Sequence, residues 1–247
     1  MGIRNYIWDE AWELNVSRGK VRGAFHVIKF GNNTDVDGSM ETIWDAGDLY
    51  TYLTDAATVT VTSNSANDAV GGTGARTVVV EGVDANYNLV SENINLGATS
   101  TAEFLRVFRA YVNQAGSFDT NEGTITIASG VTTLAQIRTV GSPTSRGLGQ
   151  TFMALYTVPA GHTGFIYQWD ISTAKADGDV YLMRREHNNG AWTTADTAHT
   201  NTNDIERTYK FPIKFEEKTD IEVRAYSPTN NMKIASTFCI LLVQNDS

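Results

Sequence analysis

The stretch ATVTVTS at residues 57–63 alternates valine with threonine at every second position. That period places Val59 and Val61 on one face of an extended chain and the threonines on the other, which is how a strand buried on one side reads. A helix of the same residues would scatter the valines round its axis. The pattern returns in RTVVVEGV (76–83), NLVSENINL (88–96), FLRVFRAYV (104–112) and EGTITIAS (122–129). Between the second and third of these, DANY supplies a hairpin turn, Asp84 and Asn86 both tolerating a left-handed backbone. In FLRVFRAYV the core candidates are Phe104, Val107, Ala110 and Val112. Strands at roughly ten-residue spacing with turn chemistry between them indicate a sandwich or a barrel.

Composition changes over GVTTLAQIRTVGSPTSRGLGQ (130–150), which is small and polar and holds Pro143, while Pro159, Pro212 and Pro228 all follow it. Such a shift marks a domain boundary. Beyond it TFMALYTV, HTGFIYQWDIS, GDVYLMRRE, IERTYKFPIKF, TDIEVRAYS and KIASTFCILLV read as further strands, the last apolar enough for the middle of a sheet. The expected fold is therefore all-β. An N-terminal arm and lead-in segment over 1–46 precedes one β-sandwich domain over 47–140 and a second, jelly-roll-like one over 141–247.

Bulk properties exclude several roles. The 247 residues carry a formal net charge of -9, whereas coating nucleic acid requires a basic surface that displaces phosphate counterions. A lone Cys239 rules out an internal disulfide framework or a cysteine-rich zinc site and reads as a small core residue. MGIRNYIWDEAWEL sets acids where a signal peptide needs an apolar run, and no span of membrane length occurs. No nucleic-acid or membrane partner is expected.

Candidate sites for chemistry are weak. GNNTDVDGSMETIWDAG (31–47) crowds Asp35, Asp37, Glu41 and Asp45 together, yet the twelve-residue calcium frame starting at Asp35 puts Met40 where glycine belongs and Ala46 where the bidentate glutamate belongs. It reads as a polar turn leading to a buried Trp44. The histidines at 26, 162, 187 and 199 make no metal-binding pair, and His187 and His199 fall in a loop-like polar stretch. GGTGAR (71–76) runs into a strand, not the helix that a phosphate cradle needs. No nucleophile elbow occurs. Two carboxylates facing each other across a sandwich, as in a glycosidase, are not testable from spacing. Trp169, Tyr181 and Trp192 fit stacking on sugars or plain packing. No catalytic residue, metal or cofactor is assigned, and the chain is not expected to be an enzyme.

The N-terminal segment stands apart. Ile7, Trp8, Ala11, Trp12 and Leu14 mark one apolar side of a short helix, and Arg18, Lys20 and Arg22 concentrate positive charge in an acidic chain. Two readings fit: a solvated strand of the protein's own fold, or a docking arm in which Trp8 and Trp12 anchor and Arg18, Lys20 and Arg22 orient.

TIWDAG after GNNTDVDGSM, then RTVVVEGVDANYNLVSENINLGATST, FLRVFRAYV, TFMALYTVPAGHTGFIYQWDIS and FPIKFEEKTDIEVRAYS resemble virion structural proteins of tailed, especially short-tailed, bacteriophages. The resemblance runs over most of the chain from about residue 30 and carries no active-site residues. It implies a capsid decoration or cement protein that binds the major capsid protein and itself, as a homotrimer, within a virion assembled in the host cytoplasm. It equally admits a tail- or fibre-associated component that binds a host-surface receptor or glycan.

Overall fold

A computed structural model describes residues 11–140, 147–187, 190–229 and 231–246. Strand takes up 58% of the described residues and helix 3%, so the protein is all-β. Among the described residues one helix, α1 (Trp12–Ser17), leads into a thirteen-residue strand, β1 (Ala24–Val36). The strands that follow are β2 (Glu41–Thr42), β3 (Thr60–Ser63), β4 (Ala75–Val83), β5 (Leu89–Asn95), β6 (Arg106–Ala115), β7 (Ile125–Ser129) and β8 (Thr132–Ile137). The remainder are β9 (Leu155–Thr157), β10 (His162–Ala174), β11 (Asp177–Arg185), β12 (Trp192–Asn201), β13 (Asp204–Phe215), β14 (Asp220–Tyr226) and β15 (Met232–Gln244).

One sheet runs in the order β1-β15-β10-β13 and another in the order β12-β11-β14-β2, with β9 also on β14. Two antiparallel sheets built from strands so far apart in sequence, each four strands wide where β2 and β9 share one lane along β14, make a jelly roll. The inner faces supply buried side chains, Trp169, Ile171, Phe238 and Ile240 from one sheet and Leu182, Ile221 and Val223 from the other. β15 lies between β1 and β10, the central position its apolar sequence called for. Pro212 lies on β13, at the sheet edge, between the two paired stretches of that strand, where a missing N–H breaks no ladder bond.

Strand pairing groups the chain otherwise than its linear order suggested. Residues 24–42, placed in the arm and lead-in segment at 1–46, belong to the jelly roll through β1 and β2. The strands from β3 to β8 make two small sheets, β3-β7-β8 and β5-β4-β6. They hang from a break inside one jelly-roll strand. Ile43 N–H donates to Val223 O, Val223 N–H donates to Ala154 O, and Ala154 N–H donates to Ile43 O, each at 2.9 Å. Two residues thus oppose one, as in a β-bulge, with the whole inserted module between them. Gly31 packs on this junction: a Cβ there would fall 2.1 Å from Ile43 O and 2.3 Å from Ala154 N. A backbone approach so close admits only glycine.

Local differences have local causes. Within the stretch 130–150, where composition changes, Thr132–Ile137 forms β8, with Leu134, Ala135 and Ile137 buried. Residues 141–146 of that window lie outside the described residues. In the 84–88 turn, Asp84 Oδ1 accepts from the N–H groups of Asn86 and Asn88, while the left-handed residue is Tyr87, at φ +64°. His199 sits on strand β12, which pairs only with β11 and is too exposed to show apolar alternation. Buried hydrophobic residues of the jelly roll and the insert form one continuous cluster.

Candidate functional site

Three acids of 31–47, Asp37, Glu41 and Asp45, accept from backbone N–H groups around them. Asp37 Oδ1 accepts from Ser39 N–H and Glu41 Oε1 from Asp37 N–H, while Asn33 donates to Glu41 Oε2 at 2.8 Å. Asp45 Oδ2 accepts from Phe152 N–H at 2.8 Å, pinning the strand that returns to the jelly roll. Trp44 is buried; its indole N–H donates to Gly47 O at 2.7 Å and its ring meets Tyr50 edge-on at 5.1 Å. Among the described residues no group of three or more His, Cys, Asp or Glu side chains is placed to hold a metal ion.

Of the N-terminal residues singled out, Trp8 lies outside the described residues. Trp12 opens α1 half-exposed, Leu14 is exposed, and Val16 is buried against the sheet. Arg18, Lys20 and Arg22 all lie exposed between α1 and β1. The three cations thus occupy the segment that joins α1 to β1, and Trp12 lies beside the outer face of the β1 sheet. A groove of about 360 Å³ runs there between Trp12, Val16, Ile28, Tyr167, Pro212 and Leu241.

A second constellation, invisible to spacing arguments, lies where the insert meets the jelly roll. Asp220 on β14 is buried and accepts from Arg106 Nε at 2.9 Å, from Arg185 Nη2 at 2.6 Å and from Thr157 Oγ1 at 2.7 Å. Glu222, two residues on and so on the same face, accepts from Arg224 Nε at 3.0 Å, from Tyr52 OH at 3.1 Å and from Thr42. The Arg106 and Arg185 guanidinium groups lie over the Tyr52 ring, and Arg185 and Arg224 over Trp192. Burial, with Glu222 and Asp220 beside it, holds the Tyr52 hydroxyl well above the usual phenol range, so it stays a donor. Every charge here meets an opposite charge. The network ties insert to jelly roll. Beside it a pocket of about 280 Å³ opens between Tyr52, Tyr87, Arg106, Arg185, His187 and Lys218. Trp169, considered above as a sugar platform, is fully buried with its N–H on Ser236 Oγ and presents no such surface.

A cavity of about 570 Å³ separates β1 from β4, β5 and β6 of the insert. Lys29 points into it from β1. The ladder between β4 and β6 skips Phe108, since Gly82 faces Val107 and Glu81 faces Arg109. This bulge explains why Val107 and Ala110, three apart, are both buried, and it leaves the Phe108 carbonyl outside the ladder. Lys29 Nζ donates to that carbonyl. Burial first, then the Arg109 charge, lower the Lys29 ammonium to about 7, against the pull of Glu81. The sequence signal was a lysine at an inward position of AFHVIKF; Arg106 in FLRVFRAYV and the acids in TDIEVRAYS are of the same kind.

No family model and no curated protein matches this chain. Among solved structures, that of infectious bursal disease virus strain Gx aligns at 11% identity over 90% of this chain and 71% of that one, with a TM-score of 0.19. The strain Gt structure aligns at 10% identity over 91% and 77%, with a TM-score of 0.16. Such scores carry no argument about function.

Proposed function

We propose that this chain is a non-enzymatic structural protein of a virus particle, a decoration or cement protein that docks on the head shell and stabilises it. The observation that carries the reading is the outer face of the β1 sheet with the segment that leads into it: a half-exposed Trp12, an apolar groove beside it, and the exposed run Arg18, Lys20 and Arg22 on a chain of net charge -9. An aromatic anchor gives affinity and neighbouring cations give orientation and on-rate. The resemblance to tailed-phage virion proteins supports the same role, with the major capsid protein and further copies of the chain, as a homotrimer, for partners. The virion is then the place of action, after assembly in the host cytoplasm. Co-sedimentation with empty shells tests it. Trp12→Ala and the triple change Arg18→Glu, Lys20→Glu, Arg22→Glu leave the fold intact and abolish shell binding; binding equal to that of the unaltered protein refutes the docking role.

A tail- or fibre-associated receptor or glycan binder is the second reading. The pocket where Tyr87, Arg185, His187 and Lys218 meet favours it, since an aromatic ring beside polar groups suits sugars. Copy number in a reconstructed particle separates the two: hundreds of copies belong to a shell, a handful to a tail.

A further inference from the structure

We propose that the cleft between β1 and the inserted module is a binding site for a small amphipathic monocarboxylate, whose carboxylate Lys29 holds and whose apolar body rests on Phe25, Val27, Val90, Phe108 and Tyr156. The inference goes beyond the particle role and does not depend on it.

Size and position come first. About 570 Å³ at a junction between two units lies within the range that encloses a small organic molecule. Phe25, Val27, Val90 and Phe108 give the wall an apolar side, and Lys29, Ser91, Gln150 and Thr151 give it a polar one, a division that suits an amphipathic molecule.

Lys29 supplies the specificity. Its side chain is 6% exposed, and among the described residues its hydrogen bond is to the Phe108 carbonyl alone. An ammonium has three hydrogens to donate, so two remain for a ligand. Its charge is also uncompensated. Glu81 from β4 is the acid facing it, but Glu81 is paired with Arg109 of β6 at 3.3 Å. The three groups together leave one positive charge in a low-dielectric cleft, with His26 of β1 on its rim. One carboxylate balances that charge; a dianion would overshoot it, and a neutral molecule would leave it standing. Burial, then the Arg109 charge, lower the Lys29 titration, and a carboxylate bound to the ammonium would oppose both. Ligand binding therefore drives it upward, by linkage. The competing account is that Lys29 is an inward charge that keeps an edge strand from pairing with other chains. That account requires no ligand.

Octanoate and octanol, added separately to the full-length protein, decide between them. Calorimetry below the Lys29 midpoint is expected to show octanoate binding at least about tenfold more tightly than octanol, as a charge-assisted hydrogen bond would give. In the same samples the ¹³Cε signal of Lys29 titrates at a higher pH with octanoate and is unmoved by octanol. Lys29→Met erases the preference for octanoate while keeping octanol binding. Equal affinities, no octanoate binding at about millimolar concentration, or an unmoved Lys29 titration overturns the proposal. The wild-type titration decides alone should Lys29→Met not fold.

Discussion

Ile43 and Ala154 sit side by side opposite Val223, Ala154 N–H donating to Ile43 O at 2.9 Å, although the whole inserted module separates them in sequence. Joining one to the other directly leaves the jelly-roll strand continuous, because both run in the same direction along β14. Insertions are tolerated where the two ends of the inserted piece meet in this way.

The first prediction follows from that junction and from the single buried cluster that runs through both parts. The full chain melts in one cooperative calorimetric transition, since the interface is core and not linker. A chain with residues 44–153 removed and Ile43 joined to Ala154 still gives a dispersed β-sheet NMR spectrum, at a lower melting temperature. Two resolved transitions in the intact protein contradict the shared core, and an unfolded deletion chain contradicts an autonomous jelly roll.

The Arg106–Asp220 pair bolts the insert to β14. The two side chains are 7% and 4% exposed, and their Nε–Oδ1 distance is 2.9 Å. Removing one partner of such a buried pair costs about 3–5 kcal/mol, because the other charge is left in a medium that cannot solvate it. Asp220→Ala is therefore strongly destabilising in urea titration, as it strands Arg106 and uncouples Arg185. The double change Arg106→Met, Asp220→Leu costs less than the sum of the two single changes. Additive losses would mean that the pair does not act as a unit.

How far the sequence reveals all this differs from element to element. ATVTVTS and KIASTFCILLV betray their strands because each strand is an alternating or uniformly apolar surface, a local property. Trp44 was readable for the same reason: an aromatic residue between Ile43 and a glycine turn has little to do but pack. The insertion was not readable. Whether TIWDAG leads into a separate first domain or interrupts a strand depends on the pairing of β2 and β9 with β14, which no local pattern records. The charge networks were hidden likewise. Arg106 and Lys29 look like solvated residues until their acceptors, Asp220 and the bulged Phe108 carbonyl, come in from distant strands. The N-terminal helix was half legible: α1 forms, but it buries Val16 and leaves Trp12 and Leu14 exposed.

Trp44→Ala destabilises by about 3–5 kcal/mol, as the loss of a large buried aromatic does. The ring is 4% exposed, packs on Tyr50, and lies in the first turn of the chain after Ile43. The change leaves a cavity where the insert departs and frees the Gly47 carbonyl that the indole N–H satisfies. Chemical denaturation measures it; a loss under about 1 kcal/mol would show that the site collapses round the missing ring.

Asp45 sets a pH dependence. Burial raises its carboxyl from 3.8 to about 6, partly opposed by the Phe152 N–H and by Arg138. Oδ1 is buried with no hydrogen-bond partner, and Arg138 Nη1 stays 4.0 Å away, so the ionised form is poorly served. The folded chain thus holds this proton more tightly than the unfolded chain, where the group titrates near its ordinary value. The resulting stabilisation is complete below that ordinary value and is lost as pH rises through about 6. Asp45→Asn has no proton to release there. Subtracting the variant's unfolding free energy from that of the wild type should therefore give a difference that falls between pH 3.8 and about 6 and is level above it. A difference that rises over that window would mean Arg138 closes on Asp45 in solution and holds the carboxylate charged.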